Sequence, residues 1–295
     1  MTANITLILT FLTVAPTAAA EQSSAYPKAS LLIEARELAK PETRASHRVL
    51  DTRSKVKYEA GHVPGAARVD AAAWSKAFTT DLDLDLNRWS RRIGDLGIDA
   101  DTPVVVYGDS DTPDAARTWW LLRYWGVKNV RLLNGGWQAW KADVGEISKE
   151  EPQFSSRRPQ LQPQKSRLTT MDQLLQSLPG SSVQIIDARS QGEYCGVEKT
   201  AQRNGAIPGA VHLEWKEVLD PHTRRFKSAD QLTQLFQEKK IDLKRPSVTH
   251  CQSGGRAAVM AFALELMGAK DVSNYYKSWA EWGNAENTPV VKPER

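Results

Sequence analysis

His250-Cys251-Gln252-Ser253-Gly254-Gly255-Arg256 is the stretch on which the reading of the whole chain turns. A β-prone segment, Ser247 to Thr249, runs into the cysteine. Small residues follow that let the backbone curl, and Arg256 opens a helix-like run from Ala257 to Met267. Strand, tight turn and helix in that order make the unit of a parallel α/β sheet, with the turn at the carboxyl end of the strand, where such sheets place their sites. Several N–H groups of the Ser-Gly-Gly turn can point at one spot there, and the helix start adds partial positive charge. That environment favours the thiolate, the reactive form of cysteine, and it also suits an anion. A cysteine beside a Gly-rich turn is commonly no more than a small buried hydrophobe. Here strand, Cys, Gly-Gly, Arg and helix occur together, and Cys251 is read as a nucleophile in an anion cradle formed by Gln252, Ser253, Gly254, Gly255 and Arg256.

Working outward, the same pattern occurs twice. Asp51-Thr52-Arg53 returns as Asp187-Ala188-Arg189, and Gly61-His62-Val63-Pro64-Gly65-Ala66 returns as Gly205 to Ala210. Gly126 to Val130 matches Gly268 to Val272, and Gly136-Trp137-Gln138-Ala139-Trp140 matches Ser278-Trp279-Ala280-Glu281-Trp282. The offset stays near 140 residues, which is the mark of a duplicated domain. In each copy short β-branched runs alternate with helical patterns, which predicts a mainly parallel sheet covered on both faces. The boundaries expected are 1–20 for a leader, 25–145 for the first domain, 146–166 for a Pro-, Gln- and Ser-rich linker pinned by Phe154 and Leu161, and 167–295 for the second domain.

In the first copy the position of Cys251 is held by Gly108, in the loop Gly108-Asp109-Ser110-Asp111-Thr112-Pro113-Asp114. It has no thiol, and its three carboxylates would repel a dianion. The first domain is therefore expected to be catalytically silent. A calcium site there would lack the rest of a calcium loop.

The chain has 295 residues, 41% hydrophobic and 25% charged, with a net charge of +4. These values fit two globular domains. Lys and Arg form no stripe with interleaved aromatics, so nucleic acid is not expected as a partner. No nucleotide or metal-ligand motif is present, and neither a cofactor nor a metal is expected. An apolar run from Ile5 to Ala15 followed by Ala18-Ala19-Ala20 reads as a secretory signal peptide, although no Lys or Arg precedes it. The mature protein is expected in the periplasm or secreted, and off the membrane after cleavage. Cys195 and Cys251 are the two cysteines of the chain. A structural disulfide and a reversible one that protects the nucleophile are both open.

The Cys251 segment resembles the active-site loop of the rhodanese (sulfurtransferase) family. Tyr276-Lys277-Ser278-Trp279-Ala280-Glu281-Trp282-Gly283-Asn284 resembles the family's C-terminal signature, and Asp187-Ala188-Arg189 with Gly205 to Ala210 resembles the motifs that open a rhodanese domain. The resemblance spans nearly the whole mature chain. It implies an α/β fold of two tandem rhodanese-like domains, each a mainly parallel five-stranded sheet flanked by helices. It further implies sulfur transfer from a small anionic donor to cyanide or a thiol through a persulfide on Cys251, with Arg189 and Arg256 holding the donor. The Cys-Gln opening, the Arg at the sixth position and the Ser-Trp-Ala-Glu-Trp-Gly-Asn ending are most similar to bacterial thiosulfate sulfurtransferases. Resembling 3-mercaptopyruvate enzymes use a first-domain His, and residues 75–90 contain none. Thiosulfate is thus the favoured donor, with 3-mercaptopyruvate and a partner-fed persulfide carrier as alternatives. A phosphatase would need one more residue between Cys251 and its Arg. One departure stands out: the family places Asp-Gly before Ser-Trp, and this chain has Tyr276-Lys277. Lys277 is expected either to take over a positive φ or to rebuild the turn, and to add a cation beside the pocket.

Overall fold

Four-residue runs such as Val104-Val105-Val106-Tyr107 are buried on both faces, as strands of a helix-covered parallel sheet must be. The computed structural model describes residues 25–80, 85–109, 111–178, 180 and 182–294; the leader expected at 1–20 lies outside them. The first sheet contains β1 (Leu32–Ile33), β2 (Arg48–Asp51), β3 (Ala66–Arg68), β4 (Val104–Tyr107) and β5 (Val130–Leu133). Their order is β1-β5-β4-β2-β3, and every pairing is parallel. The second contains β6 (Gln184–Asp187), β7 (Val211–His212), β8 (Ser247–His250) and β9 (Val272–Asn274), in the order β7-β6-β8-β9, again all parallel.

The second sheet thus has four strands where five are expected. The position of β1 is taken by a single parallel bridge, Leu168 to Asn274. Thr170 already caps the Met171–Ser177 helix, which leaves the edge no length to become a strand. Register makes the two halves equivalent residue by residue: Asp51 pairs with Tyr107 as Asp187 pairs with His250. The residues that follow, Gly108 and Cys251, occupy the same corner of their sheets.

The helices that leave the two central strands, Asp114–Tyr124 and Gly255–Leu266, pack against each other and join the halves. Small residues Ala257, Ala258 and Ala261 let the backbones approach, and Trp119 meets Phe262 edge-on at 4.9 Å. Trp120 stacks on Tyr276 at 5.1 Å, and Phe78 meets the same ring at 4.8 Å. Trp119, Trp120 and Trp125 are fully buried. Each such ring removes roughly 150–250 Å² from water, worth on the order of 4–6 kcal/mol before conformational costs.

Residues 149–164 cross the first domain without helix or strand. Their backbone is still satisfied: Arg157 N donates to Gly94 O (2.8 Å) and Gln164 N to Tyr124 O (2.7 Å). Phe154 lies under the Arg48 guanidinium at 3.4 Å, and Leu161 packs on the core. Among the described residues no helix is long and apolar enough to cross a membrane.

Candidate active site

Cys251 stands at the carboxyl end of β8 with 1% of its surface exposed. The backbone after it is held through its carbonyls. Cys251 O accepts from Trp279 N and Gln252 O from Ala280 N, both at 3.0 Å. Ser253 O accepts from Arg117 Nη1 and Gly254 O from Asn274 Nδ2, also at 3.0 Å. With four successive carbonyls engaged outward, the peptide planes are fixed. Among the described residues the amides of 252–256 meet no backbone or side-chain acceptor. These N–H groups are the ones expected to form an anion cradle, and they lead into the first turn of the Gly255–Leu266 helix. Gly254 has φ +81° and would place a Cβ 2.6 Å from Tyr276 O, so only glycine makes this turn.

Ser278 locks the nucleophile's own amide. Its Oγ accepts from Cys251 N (3.0 Å) and donates to Tyr275 O (2.7 Å). To reach there Ser278 adopts φ +55°, while Lys277 keeps φ −71°. In the first half both counterparts, Gly135 and Gly136, have positive φ. The turn is therefore rebuilt at Lys277, and strain falls on Ser278, a residue at the site. Lys277 Nζ pairs with Glu281 at 3.1 Å.

The expected cations are placed differently from one another. Arg256 forms a two-pronged pair with Glu193 (2.5 and 2.8 Å). Burial works against its charge, but Glu193 and Cys251 outweigh burial and raise its pKa. Arg189 is fully enclosed: Nε and Nη2 bind Asp187 (2.9 and 2.5 Å), Nη2 reaches Gly205 O (2.7 Å), and the guanidinium lies 4.2 Å from the Trp279 ring. Its Nη1 is buried with no partner among the described residues. Arg53 repeats this arrangement in the first half, on Asp51, Gly61 O and Trp137. The Asp-x-Arg pair is therefore built the same way in both halves of the chain. Gln252 Nε2 ties the loop to Thr200 O at 3.0 Å. His250 is buried, and desolvation above all, with the charges of Arg189 and Arg256, pushes its pKa down to about 4. It is neutral at pH 7 and ends the strand. Both cysteines are free thiols; the Cys195 sulfur meets Gln191 Nε2 at 3.0 Å and Glu294 O at 3.5 Å.

In front of the loop lies a cleft of about 590 Å³ between the halves. Its walls include Ser75, Lys76 and Arg117 from the first half and Ser253, Tyr276 and Lys277 from the second. Arg117, Ser75 and Glu193 were not singled out in the sequence, and Tyr276 only as a departure from the family's Asp-Gly. The available signal for Arg117 was a single Arg in the otherwise apolar run Ala115 to Leu122; for Glu193 it was a capping box, Ser190-x-x-Glu193.

The silent loop differs from expectation in its electrostatics. Asp109 pairs with Lys57 at 2.7 Å, Asp111 with Arg224 at 3.6 Å, and Asp114 lies 3.8 Å from Arg117. Each carboxylate has its own cation. What bars a nucleophile is space: a Cβ on Gly108 would lie 2.4 Å from Thr52 Oγ1. The second half has Ala188 at the position of Thr52.

Comparison with known proteins matches a family model, Rhodanese-like domain, twice, over residues 34–143 and 170–285. A thiosulfate sulfurtransferase of Corynebacterium glutamicum is 33% identical over 252 residues, covering 80% of this chain and 82% of its own. A 3-mercaptopyruvate sulfurtransferase of Mus musculus is 34% identical over 238 residues, covering 76% and 78%. Among solved structures, the anaerobic ergothioneine biosynthesis enzyme from Chlorobium limicola superposes with a TM-score of 0.81 over 92% of this chain and 72% of its own. At 23% identity it shows the shared fold alone.

Proposed function

Because this chain belongs to the rhodanese family, with two rhodanese-like domains in tandem, we propose that it is a thiosulfate sulfurtransferase working by double displacement at Cys251. The observation that carries this reading is the run of amides 252–256, without an acceptor among the described residues, directly after a thiol whose own amide is held by Ser278. The Cys251 thiolate attacks the outer sulfur of thiosulfate; the S–S bond of the donor breaks, sulfite leaves with its electron pair, and Cys251 carries the persulfide. Cyanide or a thiolate then attacks the terminal sulfur, takes it away, and returns the Cys251 thiolate. The cradle amides stabilise the negative charge as it moves onto the cysteine-bound sulfur. Arg256 and Arg189 add positive charge behind the loop, and Lys277 adds it at the cleft. Neutral His250 is not needed as a base, because the thiolate is the attacking form.

Thiosulfate is favoured over 3-mercaptopyruvate by the Cys-Gln loop and by Ser75 lining the cleft on a segment that lacks histidine. The leader composition supports export, and N-terminal sequencing of exported material tests it. The deciding assay is thiocyanate formation from cyanide with thiosulfate or 3-mercaptopyruvate, with Cys251→Ser as control. Preference for thiosulfate that vanishes in Cys251→Ser is expected. Preference for 3-mercaptopyruvate would move the donor assignment, and absence of Cys251-dependent turnover with both would leave a partner-fed sulfur carrier.

A further inference from the structure

The first domain, silent in chemistry, still reaches the nucleophile. Arg117 leaves the first turn of the Asp114–Tyr124 helix and crosses the interface. Its Nη1 donates to Ser75 Oγ at 2.6 Å and to Ser253 O, two residues after the nucleophile, at 3.0 Å. Its Nη2 lies so close to Gly255 that a Cβ there would come within 2.3 Å. Tyr276 OH donates to the same Ser75 Oγ at 3.0 Å, so the hydroxyl and the guanidinium are held as one group. Burial disfavours the Arg117 charge, yet Tyr276 and Cys251, with Asp114, more than restore it and raise its pKa.

Arg256 and Arg189 are more fully engaged. Arg256 is gripped at both nitrogens by Glu193. Arg189 is sealed between Asp187, Gly205 O and Trp279, and is not among the residues that line the cleft. Arg117 does line it, together with Lys76 and Lys277, and its ion pair with Asp114, at 3.8 Å, is longer than the 2.5 Å contact of Arg256 with Glu193. Ser253, two residues after Cys251, lines the cleft beside Arg117, and a donor whose outer sulfur reaches Cys251 from that side would keep its sulfonate end near the guanidinium. We propose that Arg117, with the Ser75 hydroxyl beside it, binds the anionic end of the sulfur donor, so that the non-catalytic domain supplies a donor-binding residue to the catalytic one. The proposal rests on the sulfurtransferase reading for the identity of the donor, but not for the presence of a cation in front of Cys251.

The test separates the two. Cys251 alkylation is followed by mass spectrometry of its peptide with iodoacetate, an anion, and iodoacetamide, its neutral analogue. Arg117→Gln is expected to lower the iodoacetate-to-iodoacetamide rate ratio about tenfold, and Arg117→Lys to restore most of it. Ser75→Ala, which only loosens the guanidinium, is expected to lower the ratio about threefold. With thiosulfate, Arg117→Gln is expected to raise KM about tenfold with a smaller change in kcat. A ratio and KM unchanged in Arg117→Gln would overturn the assignment, as would equal slowing of both reagents at unchanged KM, which would reduce Arg117 to a prop for the loop. If the wild-type protein forms no persulfide from thiosulfate, the proposed function fails, and the alkylation ratio still decides whether Arg117 receives an anion in front of Cys251.

Discussion

Gly108 and Thr52 exclude each other's side chains: a Cβ on Gly108 falls 2.4 Å from Thr52 Oγ1, which itself donates to Tyr107 O at 3.1 Å. A cysteine at this corner of the first domain is thus excluded at two positions, Gly108 with no thiol and Thr52 with the hydroxyl that fills its place. Gly108→Cys alone is expected to cost about 1–3 kcal/mol through overpacking. Thr52→Ala added to it should recover most of that loss. Urea unfolding of both variants measures the difference, and equal midpoints would refute the steric account.

Ser278 carries two opposed effects, a positive φ that disfavours it and an Oγ that fixes Cys251 N. Ser278→Ala keeps the strain and leaves the Cys251 amide and Tyr275 carbonyl without this partner. A loss of about 1–3 kcal/mol is expected, with turnover falling as the loop relaxes. Ser278→Gly relieves the strain, so it should be more stable than Ser278→Ala while remaining as poor in turnover. Stability and thiocyanate assays on the pair check the ordering.

His250 links stability to acidity. Its folded pKa is lowered to about 4 against an ordinary 6.5, chiefly by burial. Between those values the unfolded chain binds more protons, so stability is full above pH 6.5 and declines as pH falls toward 4. The loss amounts to about 3 kcal/mol. In His250→Gln the slope across this window should be flat, as chemical denaturation at a series of pH values would show.

Glu193, paired with Arg256, titrates on a lower limb. Burial raises the Glu193 pKa, but Arg256 and the Ser190 amide overcome it, and the net shift is downward. Stabilisation from this pair is complete above the ordinary carboxylate pKa of about 4.3 and is lost as pH falls through the lower folded value. Glu193→Gln is expected to cost about 1–3 kcal/mol at neutral pH and to remove this acid limb while leaving the His250 limb in place. A wild-type acid profile in the variant would show that the pair contributes nothing.

The duplication could be read from the order of residues, and so could the proposal of Cys251 as nucleophile and of a first copy without a thiol. Each depends on local sequence: β-branched runs set the strands, Gly254 permits the left-handed turn, and the repeat offset aligns Gly108 with Cys251. The cradle residues are contiguous, so their common location needs no fold to establish it. The fifth strand of the second sheet was overestimated because Thr170 starts a helix one residue after Thr169 N reaches Asn274 O, a competition between cap and strand that pattern alone does not resolve.

What the sequence by itself determined is therefore the α/β architecture and its duplication, both encoded in neighbours along the chain, and it nominated Cys251 as the reactive residue. Only tertiary structure decided which charges serve the site. Arg117 reaches Ser253 across 136 positions of sequence, Glu193 holds Arg256 across 63, and Asp187 draws Arg189 into a pair that the silent half repeats. Ion pairs and hydrogen bonds are formed by proximity in space, and packing of the two helices at the domain interface, through Trp119 and Phe262, sets that proximity.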